Sequence, residues 1–323
     1  MTVAVSRRQR AGRGIAPAIG ELGLVYAGSA GADQDGDAVR AVAPFCGGHR
    51  VRESILAQSQ LRETVVTAVE LGEPPAHRPG FEAVDAPDPR IEARGFEIVG
   101  TQARAGFADA AVVGGVDSLC LTTLYGFGSL ELLSREPCRP CDAARDGISI
   151  GEAAGFALLE RPDAGGGAVL LLGYGESSDG YHMSAPRPDG AGVRQAMGDA
   201  LARAGLAPEN IDYINLHGTA TPANDRAEDA AIHAMFGGAV ACSSTKGWTG
   251  HALGAAGITE AIISALCLEH GWLPGSLNTR EIDPAFKSRV VLAGEERRLR
   301  HVLSNSFGFG GNNCSLVLGT AAR

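Results

Sequence analysis

From about residue 106 onward, apolar and polar residues follow two alternating patterns. Short apolar runs bounded by glycines, such as AVLLLGYG at 168–175, are typical of buried strands. GVRQAMGDALARAGL at 192–206 has its apolar residues at helical spacing and ends near a glycine stop. Strands that alternate with helices predict an α/β fold in which helices pack on sheets.

The same two patterns assign most of the remaining chain. Strands are predicted in ELGLVYAGSAG (21–31), FEAV (81–84), FADAAVVGGVDSL (107–119, after a helix end), GISIGEAAGFALLERPD (147–163), IDYINLHGT (211–219), AVACSS (239–244), VVLAGEE (290–296), HVLSNSF (301–307) and CSLVLG (314–319). Helices are predicted at 52–72, in RAEDAAIHAMFG (226–237) and in AAGITEAIISALCLEHGWLP (255–274).

Charge and hydropathy narrow the classes of protein. A net charge of −9 argues against a nucleic-acid surface. The apolar runs, such as AGFALLE at 154–160, are too short to cross a bilayer, so no membrane insertion is predicted. The first 20 residues carry basic residues but no apolar core, so no secretory signal is expected there. We therefore expect a cytoplasmic protein.

The cysteines indicate reduced thiols rather than a metal site. There are seven, widely scattered, and an odd number in a chain of this size is typical of a protein without disulfides. Cys138 and Cys141 form a CxxC pair, but neither a second pair nor a nearby HxxxH motif accompanies it. No metal and no other cofactor is predicted.

Two histidines carry the clearest chemical signal. His217 ends the predicted strand INLHGT, and His251 follows TKGWTG in a glycine-framed loop. Two neutral imidazoles that donate to one point stabilise an oxyanion or an enolate. Lys246 is suited to hold a carboxylate there and to tune protonation, and Glu260 is the candidate partner. Either histidine alone is also compatible with a structural role.

A glycine-rich segment, SNSFGFGGNN at 304–313, follows a predicted strand. One interpretation is a phosphate cradle, although no GK[ST] or GxGxxG pattern accompanies it. A second is a mobile turn that places Phe307 or Phe309 beside an acyl pocket. A third is a purely structural turn, and the residues alone leave these three open.

Several long motifs together resemble one family. HGTATPAND (217–225), STKGWTGHALGAAG (244–257) and SNSFGFGGNN resemble motifs of the β-ketoacyl-[acyl carrier protein] synthases, in the same order. CRPCDAARDGISIGEAAGFALLE (138–160) and SSDGYHMSAPRPDGAG (177–192) resemble the core of these enzymes. The resemblance covers about residues 106–320 and implies a thiolase-like fold, layered α/β/α/β/α, made of two similar halves.

The resemblance also implies roles for four catalytic residues. His217 and His251 would stabilise the enolate that forms when a malonyl thioester loses carbon dioxide. Lys246 and Glu260 correspond to the lysine and the glutamate of the family. The implied reaction is decarboxylative condensation of malonyl-[acyl carrier protein] with an acyl chain, in fatty-acid or polyketide-type biosynthesis.

Substrate contacts and partners follow from the same resemblance. Thr219 and Thr221 would face the pantetheine arm, and Phe309 would be the gatekeeper beside Phe307. The backbone near Phe309 and Gly310 would contribute to an oxyanion hole. The implied partners are an acyl carrier protein with its acyl or malonyl phosphopantetheine, and a second copy or a related synthase in a homodimer or heterodimer.

The family nucleophile has no counterpart in the sequence. Counting from Gly80 or from Gly114 places the expected cysteine near Pro89, which has no nucleophilic atom. Cys46 lies too early, and the other cysteines lie in segments assigned to strands, a helix or the region after the GG strand. Alternatives are a cysteine-less partner subunit, such as a chain-length factor or a malonyl decarboxylase, a truncated inactive homologue, and, more weakly, a thiolase-like CoA enzyme.

The predicted division is an N-terminal half at 1–160 and a C-terminal half at 161–323. Before about residue 105 the N-terminal half resembles the family only weakly and is expected to be incomplete, diverged or out of frame.

Overall fold

A computed structural model of the chain describes residues 20–26, 110–160 and 169–320. The helix predicted at 52–72 and the strand predicted at 81–84 lie outside these ranges, as do Cys46 and Pro89.

The described residues form eleven strands: β1 Gly20–Tyr26, β2 Ala110–Asp117, β3 Ala153–Glu160, β4 Val169–Ser178, β5 Tyr213–Asn215, β6 Ala241–Ser243, β7 Trp272–Leu273, β8 Arg289–Val290, β9 Glu295–Glu296, β10 His301–Gly308 and β11 Asn312–Thr320. Nine of them form one mixed sheet in the order β2-β3-β1-β4-β11-β10-β5-β6-β8, and β7 pairs with β9. The α/β prediction is confirmed, although the segment VVLAGEE contributes only Val290 to β8 and the two residues of β9.

Four neighbouring strands of this sheet, β10, β5, β6 and β8, run parallel. β10 pairs with β5, and β5 pairs with β6, both in parallel register. The segments after β5 and β6 carry His217 and Lys246, and the end of β10 carries Phe307. Because the carboxyl ends of parallel strands meet at one edge of a sheet, the topology brings the predicted site residues together there.

The described residues also form five α-helices: α1 Leu121–Ser129, α2 Ala191–Ala204, α3 Pro222–Phe236, α4 Lys246–Thr249 and α5 Ala256–His270. α2 ends at Gly205, whose φ of +65° forms the glycine stop that the sequence predicts. α1 was not predicted; its segment LTTLYGFGS contains two glycines, which weaken the helical signal.

Two hydrophobic cores lie on opposite faces of the central strands. In β11, Leu316 and Leu318 pack into the core that includes α5, whereas Val317 packs into the core that includes α2. Successive side chains of a strand point to opposite faces, so one strand serves both cores. The described elements therefore stack in layers in this order: first the helices α2 and α3, then the central strands, then α5, and last the strands β2 and β3.

α5 is apolar on nearly all sides because it lies between two layers of strands. Ile258 and Ile262 face Gly155 of β3, while the Asn215 side chain donates to the Glu260 carbonyl and to the Ser264 hydroxyl on the opposite face. By length and composition alone, 253–270 could cross a membrane, so the expectation that every apolar run is too short was wrong. Its enclosure within the protein marks it as a core helix.

Candidate active site

Lys246 is a fully enclosed charged residue of the site, with 1% of its surface exposed. Its Nζ donates to Glu260 Oε1 and, at 2.6 Å, to the carbonyl oxygen of His217. The same Nζ lies 3.3 Å from Nδ1 of His217. An ammonium group only donates, so Nδ1 of His217 must be the acceptor and Nε2 carries the proton.

His251 is held by its backbone and by one ring nitrogen. Its N–H donates to the Ser149 carbonyl at 2.7 Å, and Gly151 N–H donates to the His251 carbonyl at 3.0 Å. Leu253 N–H donates to Nδ1 of His251 at 3.3 Å. A backbone N–H cannot accept, so His251 also carries its proton on Nε2.

The two imidazoles are direct neighbours. Their ring centroids lie 5.3 Å apart, and the rings meet edge to face at 83°. Burial, then Lys246 and His251, hold the pKa of His217 well below its usual value. Burial and Lys246 do the same for His251. At neutral pH the site therefore presents two neighbouring neutral imidazoles, each with a proton on Nε2, and neutral N–H donors of this kind can stabilise a developing oxyanion.

Burial raises the pKa of Glu260, and its contact with Lys246 opposes that rise. One of its oxygens, Oε2, and Oδ1 of Asn215 are buried without a hydrogen-bond partner. Within the described ranges, no group of three histidines, cysteines or acidic residues lies close enough together to hold a metal ion.

The buried, neutral His217 is expected to make the fold sensitive to acid. Below pH 6.5 the imidazole binds a proton in the unfolded chain but not in the folded one. The free energy of unfolding therefore falls as the pH is lowered through that range. Glu228 and Glu260, with pKa values raised to about 7, act in the opposite direction between their unfolded values of 4.5 and pH 7. The variant His217→Gln removes this titration. In urea unfolding, its free energy of unfolding should rise by about 2 kcal/mol relative to that of wild type when the pH is lowered from 7.5 to 5. A constant difference between the two proteins would contradict the assignment.

The predicted substrate residues are divided between the site and the surface. The Phe307 ring lies 5.3 Å from the His217 ring. Phe309, in the turn between β10 and β11, is 41% exposed and contacts Phe127 of α1 at 5.6 Å. Gly310 has a φ of +84° and donates its N–H to the Met183 carbonyl. This donor is already used, which favours a tight turn over a phosphate cradle.

Thr219 and Thr221 flank Ala220, a residue with a φ of +66°. Their hydroxyls are hydrogen-bonded to each other at 2.9 Å, and Thr219 is buried. Both therefore lie in the turn that leads from His217 into α3.

Glu228 of α3 is a site residue that sequence reasoning missed. Its carboxylate accepts from the backbone N–H groups of His217 and Gly218, both at 2.9 Å, and from the Asn305 amide at 3.0 Å. It thus ties the His217 turn to β10. A signal was present: Asp225, Glu228 and Ile232 follow i, i+3, i+7 spacing, which places two acids on the buried face of a helix.

Glu228→Gln is expected to lower the free energy of unfolding by about 1–3 kcal/mol, because an amide NH₂ group would then face N–H donors. Urea denaturation measures the change. Glu209→Gln, at an exposed position, is the matched control. Equal stability of the two variants would rule out this bridging role.

Four of the described cysteines, Cys138, Cys141, Cys242 and Cys267, are buried in structural positions. Cys138 donates to the Lys246 carbonyl, and Cys242 to the Arg289 carbonyl. Burial raises the pKa of Cys141, Cys242 and Cys267, which keeps these thiols protonated and weakly nucleophilic. The expected nucleophile position near Pro89 lies outside the described residues.

Comparison with known proteins agrees with this geometry. The family models for the N-terminal and C-terminal domains of beta-ketoacyl synthase match residues 97–164 and 168–280. The mitochondrial 3-oxoacyl-[acyl-carrier-protein] synthase of Arabidopsis thaliana is 42% identical over 66% of this chain and 50% of its own length. The 3-oxoacyl-[acyl-carrier-protein] synthase 2 of Rhizobium meliloti is 41% identical over 66% of this chain and 54% of its own length. The chain thus spans about half the length of these curated relatives.

Solved structures show the same fold. A chain of the ketosynthase in complex with its chain length factor from Xenorhabdus doucetiae is 46% identical, with a TM-score of 0.68 over 71% of this chain and 58% of that chain. A beta-ketoacyl synthase from Burkholderia phymatum is 30% identical, with a TM-score of 0.68 over 72% of this chain and 60% of that chain.

The layered α/β architecture and these neighbours define a thiolase-like protein, which confirms the predicted fold class. The two matched domains and the relatives near 40% identity go further: the chain belongs to the β-ketoacyl synthase family.

Proposed function

We propose that the chain acts as a β-ketoacyl-[acyl carrier protein] synthase, which condenses malonyl-[acyl carrier protein] with an acyl chain in fatty-acid or polyketide-type biosynthesis. One observation carries the proposal: two neutral imidazoles lie side by side, and each has Nδ1 engaged by a donor and a proton on Nε2. The names of the relatives support the same reaction.

The geometry suits the decarboxylation step. The bond between the malonyl α-carbon and its carboxylate breaks, carbon dioxide leaves, and the electron pair forms an enolate on the thioester. His217 and His251 donate their Nε2–H groups to the enolate oxygen. The enolate carbon then attacks the carbonyl carbon of an acyl thioester, the acyl C–S bond breaks, and the thiolate leaves and takes a proton from solvent. Without an acyl thioester, the enolate carbon takes a proton from solvent and yields an acetyl thioester.

Lys246 keeps the site in the required protonation state. Its positive charge disfavours protonation of both histidines, and Glu260 balances that charge inside the protein. Phe307 lines the site beside His217. We propose that Thr219 and Thr221 contact the pantetheine arm, and that Phe309 with Gly310 forms the gate on the acyl side.

A second candidate is a cysteine-less partner subunit, either chain-length-factor-like or a malonyl decarboxylase only, and an inactive truncated homologue is the third. The contacts of Cys138 and Cys242 with backbone carbonyls outside the histidine pair favour the decarboxylase form. Enolate stabilisation by imidazoles does not itself require a thiol.

The remaining proposals concern the setting of the reaction. An acyl carrier protein would deliver both thioesters, and a second copy or a related synthase would complete a homodimer or heterodimer. We propose a cytoplasmic location, no cofactor, and a boundary between two halves near residue 160.

One experiment separates these functions. Purified chain is incubated with malonyl-[acyl carrier protein], with and without acyl-[acyl carrier protein]. Carbon dioxide release is measured together with intact-protein mass. Release plus a covalent acyl adduct and condensed product supports the full synthase. Release without an adduct supports the decarboxylase form, and no release at all rejects both.

A further inference from the structure

The end of strand β2 touches the turn that follows His251. A Cβ atom on Gly115 would lie 2.5 Å from the Gly254 carbonyl oxygen, so only glycine permits this approach. Two residues further on, Asp117 Oδ2 accepts a hydrogen bond from Gly254 N–H at 3.0 Å. The VVGGVD segment therefore holds this turn by its backbone and by one carboxylate.

The turn itself is strained. Leu253 has a φ of +42°, a conformation that is costly for a leucine and persists only where its surroundings impose it. The N–H of this same residue donates to Nδ1 of His251. Asp117 accepts from the next N–H along the chain. The carboxylate is thus placed to keep Leu253 in the conformation that engages the histidine.

We propose that Asp117 is a positioning residue for His251. By fixing the turn Leu253–Ala255, it keeps Leu253 N–H on Nδ1 and so keeps the imidazole proton on Nε2. The inference rests on the proposed function in one respect, that Nε2–H is the donor used in decarboxylation. The tautomer itself is a property of the chain and can be measured without substrate.

The test is ¹⁵N NMR of the full chain with labelled histidine, in which His251→Gln identifies the His251 signals. Wild type should show the Nε2–H tautomer of His251. Asp117→Ala should lower the ratio of Nε2–H to Nδ1–H about tenfold, the effect of losing one oriented hydrogen bond. Malonyl decarboxylation should fall by a similar factor in kcat, with KM within about twofold.

Two matched variants separate positioning from general loosening. Asp117→Asn keeps an oxygen acceptor and should retain the wild-type tautomer and kcat. Glu152→Ala removes an exposed carboxylate that accepts from Leu119 N–H at the same edge, and should leave His251 unchanged. Asp117→Leu, which is branched at Cγ like aspartate but has no acceptor, replaces Asp117→Ala if the alanine variant does not fold.

An Nδ1–H signal in wild type overturns the proposal, and so does an unchanged tautomer in the alanine or leucine variant. The proposal is also overturned if Asp117→Asn shows the same tautomer ratio and kcat as Asp117→Ala. If wild type releases no carbon dioxide from malonyl-[acyl carrier protein], the proposed function fails, while the tautomer measurement still decides the role of Asp117.

Discussion

Replacement of His251 by alanine is expected to slow carbon dioxide release from malonyl-[acyl carrier protein] about 100- to 1000-fold, the effect of removing one preorganised oxyanion donor. The rigid support of the ring is the reason for so large an effect. Two backbone hydrogen bonds and one to Nδ1 fix its position, so the Nε2–H is preorganised for its proposed role as a donor to the enolate oxygen. His217→Ala should cost a similar factor, because the two rings act side by side.

The measurement is steady-state decarboxylation, with KM expected to change by less than about threefold because the donor acts in the transition state. His270→Ala, at the exposed end of α5, is the matched control and should leave the rate unchanged. The double variant should lose less than the product of the two single effects, since both histidines are proposed to stabilise the same oxygen. A His251→Ala protein that retains more than about a tenth of the wild-type kcat would refute the oxyanion assignment.

Lys246→Met is expected to lower the free energy of unfolding by about 3–5 kcal/mol, because it leaves a buried carboxylate without its counter-charge. Lys246 and Glu260 are exposed by only 1% and 3%. Lys246 also donates hydrogen bonds to two other acceptors, the carbonyl oxygen and Nδ1 of His217. Chemical denaturation at pH 7 measures the change.

The double variant Lys246→Met/Glu260→Leu should recover most of this loss, since no buried charge remains. The pH dependence supplies a second test. Without Lys246 the pKa of Glu260 rises further above its unfolded value of 4.5. The folded variant then keeps this carboxyl protonated above pH 7, where the wild-type carboxyl, with a pKa of about 7, ionises. The single variant should therefore lose stability relative to wild type as pH rises from about 7 to 8. The double variant should not show this loss, and equal stability of the two variants at pH 8 would refute the buried pair.

Much of the fold follows from local patterns in the sequence. The alternating strand and helix signals from residue 106 onward correspond to β2, β4, β5, β6, β10, β11 and to α2, α3 and α5. The glycine at position 205 correctly predicted the end of α2. The patterns failed where elements are too short or lack periodicity, as with α1, the four-residue α4 and the two-residue strands β8 and β9. They also gave no sign that β1 pairs with both β3 and β4.

By itself, the sequence predicted which residues would carry the chemistry, and it identified the family to which the chain belongs. His217, Lys246, His251 and Glu260 were identified from their residue types and their glycine-framed motifs. These are local properties of the chain. The apolar character of α5 was visible as well, but not the two layers of strands that enclose it.

Only the tertiary structure decided how these groups are held. The protonated nitrogen of each imidazole depends on a donor elsewhere in the chain, Lys246 for His217 and Leu253 for His251. Glu228 and Asp117 act on backbone N–H groups, and an N–H has no signature in sequence. Distance and direction set hydrogen bonds and pKa values, and both arise only when parallel strands bring their carboxyl ends to one edge.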